Sequence, residues 1–491
     1  MIRQILIALV MMTSATSFAG NFDYIRGESG AEQELVKLLD NGNFRQALMT
    51  WDTSTRGTML ATSQTGVATW AYALYQEGLP FTALQTLMQS TEPGKIEPGI
   101  LKLWVVELKK SPFIQRGWIQ TTGGWKSIVN NQPVSLKIKT KRDITKAFDL
   151  ANAFGDNVNE KARVWWQIAV QAPQINDVDS SLRALKLLKE SGQIAIGQDE
   201  ILMTQGRVLY QKKDLEAALE AYEAIPKSSS LWMEAVEERA WTHLRRDDFD
   251  KALGTVTTAM AGALAPLAGP ETFFLANLMA YKACDYTRVF NNSETFKKRH
   301  HQRLGDLQEL AKTGTNHEIG DVFARFDKDG VSKESAGPLV SSMPRNMFRD
   351  KEIVRDMESR RQLLLEVKRG GEVLEGSRSI GGNALLERAL SSEQAQTERL
   401  KQQAFIRTRV LANADLKEYR MVLNKMNIIE GEIIQRLSMD DNMKGERSKL
   451  PKVEEKGDVL VFPVTDETWM DELDNYKARV KDCPTMKKAS L

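Results

Sequence analysis

The chain has 491 residues, 42% of them hydrophobic and 27% charged, the make-up of an ordinary globular protein and enough chain for two or three compact units. Its 67 basic and 65 acidic side chains leave a formal charge of +2. That balance excludes a global electrostatic field of the kind that recruits nucleic acid or an anionic membrane.

The first segment, MIRQILIALVMMTSATSFAG, has Arg3 ahead of an apolar run from Ile5 to Met12 and a small-x-small exit at Ser17, Phe18 and Ala19. The run is too short to span a bilayer and has the form of an export signal, predicting cleavage after Ala19 and a periplasmic location. Gly20 follows, so the cysteine that anchors bacterial lipoproteins is lacking at that position. No later stretch is long and apolar enough to cross a membrane. Residues 20–150 read as degenerate helical repeats. LVKLLDNGNFRQALMTW and WAYALYQEGLPFTALQTL carry small and aromatic residues at repeating offsets, and the Gly-, Asn- and Pro-rich RGWIQTTGGWKSIVNNQPVSLKIKTKRD interrupts them.

The clearest signal lies within 151–309. GRVLYQKKDLEAALEAYEAI aligns with AWTHLRRDDFDKALGTVTTA so that Gly206, Leu215, Ala218 and Tyr222 stand over Ala240, Phe249, Ala252 and Val256, always by the same step. That step, about 34 residues, is the length of a unit in which two antiparallel helices stack on the next pair, so these residues form the packing of a tetratricopeptide-like solenoid. Small residues at 206, 218, 240 and 252 allow close helix approach, while the larger four fill the layer between helices. Asp214 and Asp248 stand where they cap the second helices. Such stacks curve, and their first helices line the inner face. By analogy with how tetratricopeptide proteins face their grooves, Met203, Arg207 and Tyr210 of one unit, and Glu237, Trp241 and Arg245 of the next, are expected in a partner-binding groove, aromatics with arginine being common anchors of such surfaces. The competing reading has Tyr210 and Trp241 simply packing between helices. AMAGALAPLAGP, residues 259–270, lengthens the connection to a further copy that carries Tyr286 and Val289.

Residues 310–345 gather Gly, Ser and Pro and read as a hinge. Residues 346–440 read as long helices or a short antiparallel coiled coil, since 384–437 contains no proline. The tail, 441–491, reads as a β-like run and then an amphipathic helix with Trp469, Leu473, Tyr476 and Val480 docked on the body. The overall expectation is an all-α solenoid followed by a second helical section.

Other motifs carry less chemistry. FDKDGVSKE offers Asp327, Asp329 and Glu334, but Gly330 is misplaced for a calcium loop and a solvated turn is expected. GGEVLEGSRSIGG lacks the Gly-Lys-Ser/Thr of a phosphate loop and reads as helix ends and a turn. His300 and His301 point apart on one helix and read as a solvated face. No metal, cofactor or catalytic residue is indicated. Cys284 and Cys483, the only cysteines, are either bridged after export or two separate thiols.

IPKSSSLWMEAVEERAWTHLRRDDFDKALGTV and the ending VFPVTDETWMDELDNYKARVKDCP resemble the tetratricopeptide envelope proteins associated with adventurous gliding motility in deltaproteobacteria. The likeness covers about residues 195–300 and 455–484 and includes Trp469, Asp471, Glu472, Leu473 and Tyr476. It implies a noncatalytic scaffold in a periplasmic machine, with protein partners in the cell envelope and association with peptidoglycan as a further expectation. Two alternatives remain: a cell-wall hydrolase or its activator, and an assembly factor for outer-membrane proteins.

Overall fold

In the computed structural model, helices follow one another in hairpins. Residues 22–439 are described, apart from breaks at 26–28, 91, 116–118, 120, 129–135, 263, 265–267, 338–342 and 381, together with Leu473. The proposed export signal and all of the tail except Leu473 lie outside the described residues. Among the described residues every regular element is helical, and no helix is long and apolar enough to cross a membrane. The chain divides into two units: Met1–Pro133 with Asp306–Asn413, and Val134–Gly305 with Ala414–Leu491.

The first unit begins with two helical hairpins, α1 (Gly30–Asp40) with α2 (Phe44–Ser54) and α3 (Gln64–Gln76) with α4 (Pro80–Gln89), followed by α5 (Pro98–Lys110). Its core is rich in large aromatics, with Trp51, Tyr72, Phe81, Trp104 and Trp125 all buried. The indole N–H groups of Trp104 and Trp125 donate to the carbonyls of Ala68 and Ser90 at 2.9 and 2.6 Å, satisfying the polar edge that burial of tryptophan requires. Leu363, Val373, Leu386 and Leu390, from far downstream in the chain, belong to the same core.

The second unit stacks α6 (Lys141–Ala153), α7 (Val158–Gln171) and α8 (Val178–Glu190) before the repeats identified above. These are α9 (Gln198–Lys212) with α10 (Leu215–Glu223), and α11 (Trp232–Arg245) with α12 (Phe249–Met260). A third pair follows, α13 (Pro270–Lys282) with α14 (Tyr286–Thr313). One local device makes each turn: the first helix ends on a left-handed residue, and the aspartate after it caps the second helix. The pairs are Lys213–Asp214, Asp247–Asp248 and Cys284–Asp285, with φ of 68°, 58° and 59° at the first member. The N–H groups of Ala217, Lys251 and Arg288 donate to the three aspartates at 3.4, 3.2 and 3.1 Å.

Packing follows the register of the repeat. A methyl group on Gly206 would stand 2.3 Å from the Tyr222 ring, so only glycine admits that side chain. Ala218, Tyr222, Ala240, Ala252 and Val256 are buried, whereas Leu215 and Phe249, at the first position of their helices, are half-buried. The ammonium of Lys282 lies 5.0 Å over the Phe249 ring.

Four expectations need correction. The segment read as a hinge, 310–345, contains α15 (His317–Asp329), whose Ile319, Val322, Phe323 and Phe326 are buried and whose N-terminus is capped by Asn316. Flanking Gly and Ser residues conceal an apolar face with proper helical spacing. Asp327 is no solvated turn residue, since it takes Arg360 Nε at 2.9 and 3.1 Å from its two carboxylate oxygens. Gly370 and Gly371 lie inside α16 (Lys351–Ser377) rather than at its end. A methyl group on Gly370 would come within 2.5 Å of Leu390, so the glycine permits a close crossing with α17 (Ala384–Met439), the single 56-residue helix that the proline-free stretch forms. His300, finally, is buried, as the next subsection describes.

Candidate functional site

The residues assigned to the groove lie on α9 and α11, the first helices of successive pairs, and those of α11 meet the next first helix, α13. Arg207 on α9 is exposed and reaches the next first helix, where Glu238 Oε1 lies 2.6 Å from its terminal nitrogen and Glu234 Oε2 3.5 Å away. Tyr210, one turn on, is half-buried beneath the guanidinium of Arg245, whose centre is 4.8 Å from the ring. From α11 the pattern repeats toward α13. Thr272 Oγ1 donates to Glu237 Oε2 at 2.6 Å, and Trp241 Nε1 donates to Glu271 Oε2 at 3.2 Å. The Trp241 ring stands 6.0 Å from Phe274.

Five of the six predicted residues therefore share one ladder across three helices. The sixth does not: Met203 is 2% exposed and packs with Leu202, Tyr222 and Trp232. Met203 shares the helical phase of Arg207 and Tyr210, but it lies nearer the start of α9, where it packs in one core with Tyr222 of α10 and Trp232 of α11. Tyr210 and Trp241 each pack between helices, as the competing reading has it, and each is only partly buried.

Sequence reasoning missed what meets the last rung. The part of α17 that belongs to this unit lies along α13 and α14. Lys425 Nζ is 3.6 Å from Glu271 and 4.8 Å over the Phe274 ring, so Glu271 links Trp241 to α17. The hydroxyl of Tyr281 donates to Glu432 at 2.7 Å, and Arg436 stacks 4.8 Å from the same ring. On α14, His300 sits among Phe273, Phe296 and Tyr419, with ring centres at 5.3, 4.7 and 5.2 Å. Its burial follows from the length of α14, which extends far enough beyond its repeat to receive α17. An open solenoid end exposes apolar surface and needs a capping helix, and here a distant, later part of the chain provides one.

Leu473 is buried among Leu202, Tyr222 and Val236, and its carbonyl accepts from Lys227 Nζ at 2.9 Å. The other tail residues expected to dock, Trp469, Tyr476 and Val480, lie outside the described residues. Cys284 is disulfide-bonded, and Cys483, the other member of the expected pair, lies outside the described residues. No group of three or more metal-ligating side chains occurs among the described residues. No family model, curated protein or solved structure matches the chain.

Proposed function

We propose that this chain is a noncatalytic scaffold that holds a protein partner against the first-helix face of α9 and α11. One observation carries the reading: Arg207 and Arg245 are exposed on neighbouring first helices, each set beside an aromatic or acidic group of the adjoining rung. A partner segment with acidic and apolar side chains suits that face, because arginine offers both a planar fork for carboxylates and a surface for stacking. The export signal and the resemblance described above support placing the scaffold in the cell envelope, within a motility-type or related machine.

The test uses Arg207→Ala with Arg245→Ala, since Trp241 contributes to packing and its removal would confound folding with binding. Crosslinking in intact cells, followed by recovery of the protein, is expected to lose a specific partner from the double variant while its circular dichroism stays that of the wild type. An unchanged partner set would rule out the groove. Release of soluble muropeptides from peptidoglycan by the purified protein would instead favour the hydrolase reading.

A further inference from the structure

The first unit contains a pair of carboxylates buried where α4, α16 and α17 meet. Glu366 of α16 is 1% exposed, and it accepts from the backbone N–H groups of Phe81 and Thr82 at 2.9 Å each and from Thr82 Oγ1 and Gln362 Nε2 at 2.8 Å each. The first two are free N–H groups of the opening turn of α4, whose own N-cap residue, Leu79, has no side chain able to cap it. Glu366 thus caps α4 from a distant part of the chain, at a position where the helix dipole favours negative charge.

Glu393 of α17 lies beside it, 2% exposed, with the Thr82 hydroxyl close by but neither of its oxygens in hydrogen-bonding geometry with a donor. Thr82 is adjacent to both carboxylates, but its single hydroxyl proton is directed at Glu366. The ten residues of α4 include no titratable side chain. On α16, Arg360 is committed to Asp327, Glu398 and the Thr397 carbonyl, and Arg369 lies beside Gly78 and Glu77. Among the described residues, Glu366 is the one charged group that acts on Glu393.

An ionised carboxylate without donors, buried next to a second one, is not sustainable, whereas a protonated one brings its own O–H to Thr82 Oγ1 or to Glu366. We propose that Glu393 holds a proton at neutral pH and that this proton closes a latch between α17 and the capped end of α4. A cation in its place is disfavoured, because it would face the positive end of α4 and compete with four donors already bound to Glu366.

Burial, reinforced by the neighbouring charge, pushes Glu393 up from the ordinary 4.5 to about 8, and burial pushes Glu366 upward as well against its four donors. A carboxyl that binds its proton more tightly in the folded state than in the unfolded one adds stability that is complete below its ordinary pKa. That stability is lost as pH rises toward the folded value. The latch therefore tightens in acid and loosens between about pH 5 and 8, by on the order of a thousandfold in the local closed-to-open ratio.

Hydrogen exchange of the full-length protein, corrected for intrinsic rates, reads this in the segments covering 80–89 and 384–400. Protection is expected to fall steeply from pH 5 to pH 8 in the wild type and to stay high and flat in Glu393→Gln, which mimics the protonated form. An equal fall in both would overturn the latch. If the variant does not fold, infrared spectra of the wild type decide: a protonated carboxyl stretch that persists at pH 7 and disappears toward pH 9 supports the latch, and its absence at pH 7 overturns it.

Discussion

The two units solve the same problem, stacking helical hairpins, with different materials. In the second unit three successive pairs repeat a local recipe of left-handed residue and aspartate cap, and in the first of them Gly206 also lies under the Tyr222 ring. In the first, the N-terminal hairpins depend on distant chain. Glu366 caps α4, Gly376 leaves room for Met49, and the side chain of Asn383 donates to the Leu48 carbonyl. The lesson is that repeats with strong local signals specify themselves, while degenerate ones borrow caps and core residues from a later segment.

The contrast breaks most directly at Tyr222. Tyr222→Ala empties the layer between α9 and α10 and is expected to cost about 3–5 kcal/mol, read by urea unfolding, with loss of exchange protection confined to the second unit. Equal loss of protection in residues 30–110 would show that the units do not fail separately. Next comes pH. Burial pushes His243 of α11 down to about 4 from 6.5, so the folded state binds its proton less tightly than the unfolded one. The second unit then loses stability as pH falls through that interval, by on the order of a hundredfold in the folded ratio, opposite in sign to the carboxylate pair. His243→Gln should flatten this acid limb; a limb that keeps its slope would assign it to other groups.

Gly206→Ala is smaller, about 2 kcal/mol, because the Tyr222 ring must move to admit a methyl group. A stabilising result would mean that the ring has room to yield. Asp248→Ala removes one helix cap and is expected to cost about 1 kcal/mol, lowering the thermal midpoint by a few degrees. No change in midpoint would mean that solvent replaces the cap without loss.

How much of this could be read from sequence follows the same division. The all-helical class and the packing roles of Gly206, Ala218 and Tyr222 are legible because their causes lie within one repeat. That Arg207, Tyr210, Glu237, Trp241 and Arg245 lie on one first-helix face is legible for the same reason, whereas Met203 shares their phase and is covered by neighbouring helices, which its spacing does not reveal. Glu366 and Glu393 are illegible, since nothing in their neighbourhoods distinguishes them from the chain's many solvated acids. Their meaning arises only when α16 and α17 meet α4. His300 reads as solvated because the helix that buries it begins only at Ala384. The helix α15 is hidden because small flanking residues outweigh four apolar positions on one face.

The central claim, that the first-helix face of α9 and α11 holds a partner, is tested most directly by site-specific photocrosslinking in living cells. A photoreactive residue at Arg245 is compared with one at Glu220, exposed on the second helix α10. A discrete crosslinked partner is expected from position 245 and none from 220. The same products from both positions, or products from 220 alone, would contradict the claim.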